Sequence, residues 1–186
     1  MDRVQEALNS VPRENFLPAY AKGQHVDVPL PIGFGQTNSQ PTTVRMMLEW
    51  LEVEKGDTVL DVGSGSGWTT ALLSHLVGPS GKVCAVELIP ELVEFGRDNC
   101  QRFGVRNAKF HQAGEAFGLP KYAPYDRILV SASARELPDE LLDQIKVGGK
   151  MVIPVGRDIL EIEKLSEDNY ETRTHHGFVF VPLIKG

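Results

Sequence analysis

Thr58-Val59-Leu60-Asp61-Val62-Gly63-Ser64-Gly65-Ser66-Gly67-Trp68 is the stretch that decides how this chain folds. Its apolar, β-branched start reads as a buried strand, three glycines at alternate positions make a tight turn, and Trp68-Thr69-Thr70-Ala71-Leu72-Leu73 opens a helix. A strand that feeds a helix through glycines lets the backbone approach a ligand closely, with unpaired N–H groups facing it. The spacing differs from the dinucleotide fingerprint, whose third glycine stands three residues after the second. Trp68 holds that place here. The pattern is instead acidic-x-Gly-x-Gly-x-Gly.

Outward from this unit the chain alternates strand-like and helix-like segments, the signature of a parallel α/β sheet. Gln40 to Val53 reads as a helix with Pro41 at its start. Asp57 to Val62 is the first strand, Gly67 to Val77 a helix, and Lys82 to Glu87 the second strand. Pro90 opens a helix to about Phe103, which Gly104 ends. Ala108 to His111, Tyr125 to Ser131 and Lys150 to Val155 read as three more strands, with a short helix from Pro138 to Ile145. Ile159 to Leu165 and Thr172 to Leu183 read as a hairpin around Glu167-Asp168-Asn169. The expected fold is α/β: Rossmann-like and doubly wound, a mostly parallel seven-stranded sheet with a C-terminal antiparallel hairpin at one edge. Residues 1–186 are expected to form one domain.

Bulk properties narrow the class. Apolar residues make up 41% and charged residues 24%, ordinary for a globular domain of 186 residues. A net charge of −6 argues against a broad surface for nucleic acid or anionic membrane. No apolar run approaches the ~20 residues that span a bilayer, and Met1-Asp2-Arg3-Val4-Gln5-Glu6 opens no secretory h-region. Cys84 and Cys100 stand outside any CxxC or metal-ligand spacing. Two reduced, structural thiols in a cytoplasmic chain are the expectation.

In such sheets ligands bind outside the carboxyl ends of the strands, at the switch point of strand order. Three acidic residues fall on successive ends. Asp61 can steady the glycine turn and accept from a ligand's amino group. Glu87 lies near the ~20-residue offset at which an acidic residue reaches ribose hydroxyls. Glu115, in Gly114-Glu115-Ala116, can accept from an adenine amine. Together they outline a nucleoside site.

Upstream, Pro29-Leu30-Pro31-Ile32-Gly33-Phe34-Gly35-Gln36-Thr37-Asn38-Ser39-Gln40-Pro41 has neither helical nor strand period and reads as a loop that leads into a helix. The acidic-x-Gly-x-Gly-x-Gly turn resembles motif I of class I S-adenosylmethionine-dependent methyltransferases. The Gly-Gln-Thr-x-Ser-x-Pro loop is more specific, and with it the chain resembles the protein-L-isoaspartate (D-aspartate) O-methyltransferases. The likeness covers nearly the whole chain, including Val11 to Pro18, Val86-Glu87 with Pro90-Glu91-Leu92, Pro124-Tyr125-Asp126, Val147-Gly148-Gly149, Val152 to Gly156 and Phe180-Val181-Pro182-Leu183.

The resemblance implies methyl transfer from S-adenosylmethionine to the carboxylate of an isoaspartyl residue, leaving S-adenosylhomocysteine. The methyl ester collapses to a succinimide whose hydrolysis returns some aspartate, which repairs aged proteins. It implies Ser39 and Thr37 as catalytic residues that hold the carboxylate in line. Asp61, Gly63, Ser64, Gly65, Gly67, Glu87, Leu88, Gly114 and Glu115 fall to the cofactor, and Ile32, Gly35, Gln36 and Ser131 to the protein substrate, with residues 1–40 on the substrate side. Isoaspartyl proteins or peptides are the expected partners, with no metal, no membrane and no nucleic acid, and the chain is expected to be a monomer.

The chain departs from the family pattern at particular positions. Asn38 stands where an apolar residue is usual, Phe34 where a histidine is common, and Glu115 where aspartate is usual. Two other readings therefore stand beside the first: a methyltransferase for a small molecule or nucleic acid, and a cofactor-binding paralogue with weak turnover. Ser39 has a structural reading too, as N-cap of the helix that starts near Pro41. His175-His176 sits in an edge strand where neighbours face opposite sides, which disfavours a shared metal. Trp68 is read equally as packing or as a cofactor neighbour, and Arg97, Arg102 and Arg106 as a solvated face.

Overall fold

Strand, glycine turn and helix fold as one unit in the computed structural model, which describes residues 2–186. In chain order the elements are α1 (Arg3–Ser10), β1 (Leu30–Gly33), β2 (Gln36–Asn38), α2 (Pro41–Leu51), β3 (Thr58–Val62), α3 (Trp68–Val77), β4 (Lys82–Glu87), α4 (Pro90–Phe103) and β5 (Ala108–Gln112). β6 (Tyr125–Val130), α5 (Asp139–Leu142), β7 (Ile145–Val155), β8 (Asp158–Ser166) and β9 (Asn169–His176) follow. Seven strands form one sheet in the order β5-β4-β3-β6-β7-β8-β9. The first five in that row run parallel; β8 and β9 are antiparallel additions at one edge. This is the expected Rossmann-like sheet. The chain moves outward from β3 through β4 to β5, then crosses back to place β6 on the other side of β3. The crevice of that reversal opens at the carboxyl ends of β3 and β6.

Alternation along β3 divides its side chains between two cores. Val59 packs with Leu72 of α3, Val44 of α2 and Ala7 of α1. Leu60 and Val62 pack with Val86, Ile128, Met151 and Leu141 of α5. Burial on both faces explains why the strand reads as an unbroken apolar run. Pro41 and Pro90 occupy first-turn positions of α2 and α4, where a missing N–H costs nothing. Gly104 closes α4 in the left-handed region, its N–H donating to the Cys100 and Gln101 carbonyls.

Three segments depart from expectation. Residues 29–41 form a small hairpin rather than an irregular loop. Gly33, Phe34 and Gly35 all take positive φ, reversing the chain so that Leu30 pairs with Asn38 and Pro31 with Thr37. The helix expected from Pro138 to Ile145 shrinks to Asp139–Leu142. Ile145 already pairs with Tyr125, and an irregularity between Tyr125 and Arg127 takes up the slack before Arg127 pairs with Lys150. Finally, the last strand stops at His176 instead of running to Leu183. Gly177 and Phe178 donate to the Arg157 carbonyl at 3.1 and 2.9 Å, and the tail turns back across the sheet. There the Ser133 N–H donates to the Val181 carbonyl at 2.7 Å and the Leu183 N–H to the Ser133 carbonyl at 2.8 Å.

Candidate active site

One cleft collects the carboxyl ends of β3, β4 and β6. Its walls are Ile32 and Gln36 to Ser39 of the hairpin, Gly63 to Ser66 of the glycine turn, Glu87 to Ile89, Ala113, Ser131-Ala132, and Val181 to Ile184 of the returning tail. Residues of the acceptor side and the cofactor side of the sequence analysis thus face one space.

The glycine turn is held differently from the expected cradle of unpaired N–H groups. Gly63 and Ser64 donate to the Val86 carbonyl at 2.8 and 3.1 Å, and Gly67 donates to the Ser64 carbonyl at 2.8 Å. The Gly65 N–H donates to Glu87 Oε2 at 2.9 Å. Recognition of a polar ligand therefore falls to side chains. Gly67, at φ +83°, could take no side chain: a Cβ would stand 2.7 Å from the Gly96 carbonyl of α4. This glycine-to-glycine approach seats the turn against α4.

Glu87 is almost fully buried. Its second oxygen, Oε1, accepts from the Leu88 and Ile89 N–H groups at 2.8 and 3.1 Å. A carboxylate has about four acceptor positions, so one stays open, and Glu87 lines the cleft. Asp61 is fully buried behind the turn. Its Oδ2 accepts from the hydroxyls of Thr70 at 2.6 Å and Thr69 at 2.9 Å. Burial pushes its carboxyl up to about 6, against the two threonine hydroxyls, and the nearby Glu87 charge adds to the rise. Asp61 Oδ1 and Ser64 Oγ are the two buried side-chain polar atoms without a hydrogen-bond partner among the described residues. Buried oxygens without partners are rare and call for a ligand or water. Both lie at the turn, and Ser64 lines the cleft. With apolar Leu88, Ile89, Ala113 and Leu183 on the walls, the donor set fits a nucleoside that carries an amino-acid end.

On the opposite wall stand Thr37 and Ser39. The Ser39 hydroxyl has no hydrogen-bond partner among the described residues, and Ser39 is not the N-cap of α2. Gln40 holds that position without a side-chain cap bond. The cap comes from afar: Asp27 Oδ1 accepts from the Thr42 N–H at 2.9 Å, and Oδ2 from the Thr42 hydroxyl at 2.6 Å and Gln40 Nε2 at 3.0 Å. These bonds hold the Asp27 carboxyl below its usual range. No local pattern announces a cap donated from Asp27, so sequence reasoning missed it.

The other expected residues divide. Ile32, Gln36, Gly63, Ser64, Gly65, Leu88 and Ser131 line the cleft with Glu87. Gly35 shapes the hairpin turn at φ +71° without lining it. Gly67 is the N-cap of α3. Gly114 and Glu115 are not on the wall; Glu115 is exposed, and the Gly114 carbonyl accepts from the Gly186 N–H at 3.0 Å. β5 runs one residue further than expected, to Gln112, so Ala113 meets the cleft instead, its N–H donating to the Glu87 carbonyl at 2.8 Å. Trp68 lines the cleft but is chiefly a packing residue: it is buried, and its indole N–H donates to the Val11 carbonyl at 3.0 Å.

His175 stacks on Trp50 at 3.6 Å between ring centroids, and His176 pairs with Asp158. Arg97 pairs with Glu94. Both cysteines are free, and burial pushes the Cys100 thiol up to about 12. Among the described residues no group of three His, Cys, Asp or Glu could hold a metal, and no helix is long and apolar enough to cross a membrane.

The family model "Protein-L-isoaspartate(D-aspartate) O-methyltransferase" matches residues 1–186. A protein-L-isoaspartate O-methyltransferase of Methanopyrus kandleri is 46% identical over 189 residues, covering 98% of this chain and 84% of the relative. One of Thermococcus onnurineus is 46% identical over 190 residues, covering 98% and 86%. A solved protein-L-isoaspartate O-methyltransferase superposes with a TM-score of 0.90 at 28% identity, over 98% of this chain and 61% of its own longer chain. A Plasmodium falciparum structure of the same description, in complex with S-adenosyl-L-homocysteine, gives 0.89 at 26% identity, over 100% and 92%. With a family match and a likeness to relatives over nearly its full length, the chain belongs to the protein-L-isoaspartate (D-aspartate) O-methyltransferase family and is an S-adenosylmethionine-dependent enzyme of that family.

Proposed function

We propose that the cleft carries out its family's reaction with Ser39 and Thr37 on the acceptor and with Ser64, Glu87, Leu88 and Asp61 on the cofactor. The observation that carries this reading is the free Ser39 hydroxyl on the same cleft as the glycine turn. The acceptor is the free α-carboxylate of an isoaspartyl residue, whose side-chain carboxyl is tied up in the peptide bond. When bound, the cofactor supplies a methyl group made electrophilic by a positively charged sulfur.

A carboxylic acid with a pKa near ~4 is ionised at neutral pH. No residue has to remove a proton, which suits a cleft wall without histidine or cysteine. The chain's work is alignment and exclusion of water. Ser39, with Thr37, donates hydrogen bonds that point one carboxylate oxygen at the methyl, while Ile32, Gln36 and Ser131 shape the approach. Glu87, oriented by three backbone N–H groups, accepts from ribose hydroxyls. Ser64 Oγ and Asp61 Oδ1, without partners of their own, take the polar end of the cofactor. We read residues 1–186 as one unit acting as a monomer in the cytoplasm, residues 1–40 contributing the acceptor wall.

The test is transfer of labelled methyl to an isoaspartyl peptide, with its aspartyl isomer as control. Base-labile label on the isoaspartyl peptide alone supports the reading. Label on neither peptide, despite measurable S-adenosylhomocysteine binding, overturns it.

A further inference from the structure

We propose that Asn38 is a positioning residue: one buried amide that locks the acceptor-side hairpin to the cofactor-side turn. Strand alternation directs Asn38 inward between Thr37 and Ser39, and it is 5% exposed. Asn38 Nδ2 donates to Ser66 Oγ at 2.8 Å, in the heart of the glycine turn. Arg13 fixes the amide from behind, with Nε donating to Asn38 Oδ1 at 2.6 Å and a terminal nitrogen to the Asn38 carbonyl at 2.8 Å. The Ser66 carbonyl in turn accepts from Asn99 Nδ2 of α4 at 2.9 Å. The N-terminal segment, hairpin, glycine turn and α4 are thereby joined by one chain of hydrogen bonds, buried at Ser66 and part-buried at Arg13.

Its consequence follows from the reaction proposed above, on which it rests. Carboxylate attack needs no base, so the rate depends on the distance and angle between two ligands held by different parts of the chain. Thr37 and Ser39 flank Asn38 and hold one; Ser64, two residues before Ser66, helps to hold the other. A misplacement of about 1 Å can cost on the order of a hundredfold in rate. The Asn38–Ser66 bond spans that gap directly. It sets turnover while leaving each ligand's own contacts in place.

Steady-state kinetics with S-adenosylmethionine and an isoaspartyl peptide, S-adenosylhomocysteine titrations and thermal melts test this on Asn38→Leu, Ser66→Ala, their double variant and Asn38→Asp. In Asn38→Leu, kcat is expected to fall about ten- to a hundredfold, with the peptide KM and the S-adenosylhomocysteine Kd within about threefold of wild type. Ser66→Ala should reproduce most of that loss, and the double variant should be no worse than Asn38→Leu. Asn38→Asp should recover much of the rate, because the Ser66 hydroxyl can reverse and donate to the new carboxylate.

A kcat within about twofold of wild type in folded Asn38→Leu or Ser66→Ala, multiplying losses in the double variant, or a Kd that weakens in step with kcat each overturn the proposal. If Asn38→Leu does not fold, Ser66→Ala alone decides. A wild type that forms no ester overturns the acceptor reading and this proposal with it; an active wild type with insensitive variants overturns this proposal only.

Discussion

The Gly65 N–H donates to Glu87 Oε2 over 2.9 Å, so the last residue of β4 clasps the turn that follows β3. Because the other carboxylate oxygen holds the Leu88 and Ile89 N–H groups, one side chain braces the turn and the start of α4. Glu87→Ala strands these backbone donors, at about 1–3 kcal/mol for each that stays dry. It is expected to lower the melting temperature and weaken S-adenosylhomocysteine more than about tenfold. Glu87→Gln keeps one acceptor oxygen and should fall between. Calorimetric titration checks this, and a Kd within twofold of wild type for Glu87→Ala would remove Glu87 from the cofactor site.

The catalytic part proposed for Ser39 is separable from the capping that Asp27 performs. Because Asp27, not Ser39, accepts the Thr42 N–H, Ser39→Ala is expected to leave the melting temperature within about 1 °C while kcat/KM falls roughly a hundredfold, as for misalignment of the reacting carboxylate. Asp27→Ala should do the reverse in kind, lowering the melting temperature first because the helix end loses its acceptor. Melts and methyl-transfer rates on both variants decide. A Ser39→Ala protein that is destabilised but fully active would return the hydroxyl to a structural part.

Asp61 makes the stability of this fold depend on pH in an unusual direction for a carboxylate. Its folded value of about 6 lies above the ordinary 3.8, so the folded state binds the proton more tightly. The stabilisation is complete below pH 4 and is lost as pH rises through 6. At about 1.4 kcal/mol per pH unit the loss is on the order of 3 kcal/mol. The amide introduced by Asp61→Asn cannot titrate, so the stability of that variant relative to wild type should climb between pH 4 and 6 and stay level above 7. Urea unfolding of both proteins at several pH values measures this difference, which cancels the other carboxylates. A difference independent of pH would mean that Asp61 is ionised throughout.

What was legible in the sequence follows the range of the forces involved. β3, the glycine turn and α3 are local: apolar run, glycine spacing and helix opening all lie within twenty consecutive residues, and each agrees with the others. Glu87 was legible because strand ends fall at regular offsets in a parallel sheet. The tie between Asn38 and Ser66 joins residues 28 apart, and nothing in either neighbourhood signals it. Glu115 stands off the cleft wall for a small reason, one extra residue of β5, which moves Ala113 onto it. The place of Ser39 on the cleft was legible, but its freedom from capping depended on Asp27, whose carboxylate arrives through tertiary folding.

The tail was the largest miss, and it yields the last prediction. A strand pattern through Leu183 concealed the turn at Gly177, whose φ of +95° lies where glycine is favoured. Beyond it, Val181, Pro182, Leu183 and Ile184 close one wall of the cleft. Two hydrogen bonds to Ser133, at 2.7 and 2.8 Å, anchor them, and a Lys185–Glu140 ion pair and the Gly186 N–H on Gly114 follow. The sheet strands pair without this segment, so removing residues 181–186 should leave far-UV circular dichroism nearly unchanged. Leu183 packs against the core on the α5 side, so a modest drop in melting temperature is expected. The cleft, however, loses an apolar wall and gains water. S-adenosylhomocysteine should bind on the order of tenfold more weakly, chiefly through faster release, and Leu183→Ala should show part of the same effect. Stopped-flow release rates on the two variants test this. Release at the wild-type rate from the shortened chain would make the tail a bystander, and the cofactor wall would then be complete with β4, Ala113 and Ser131.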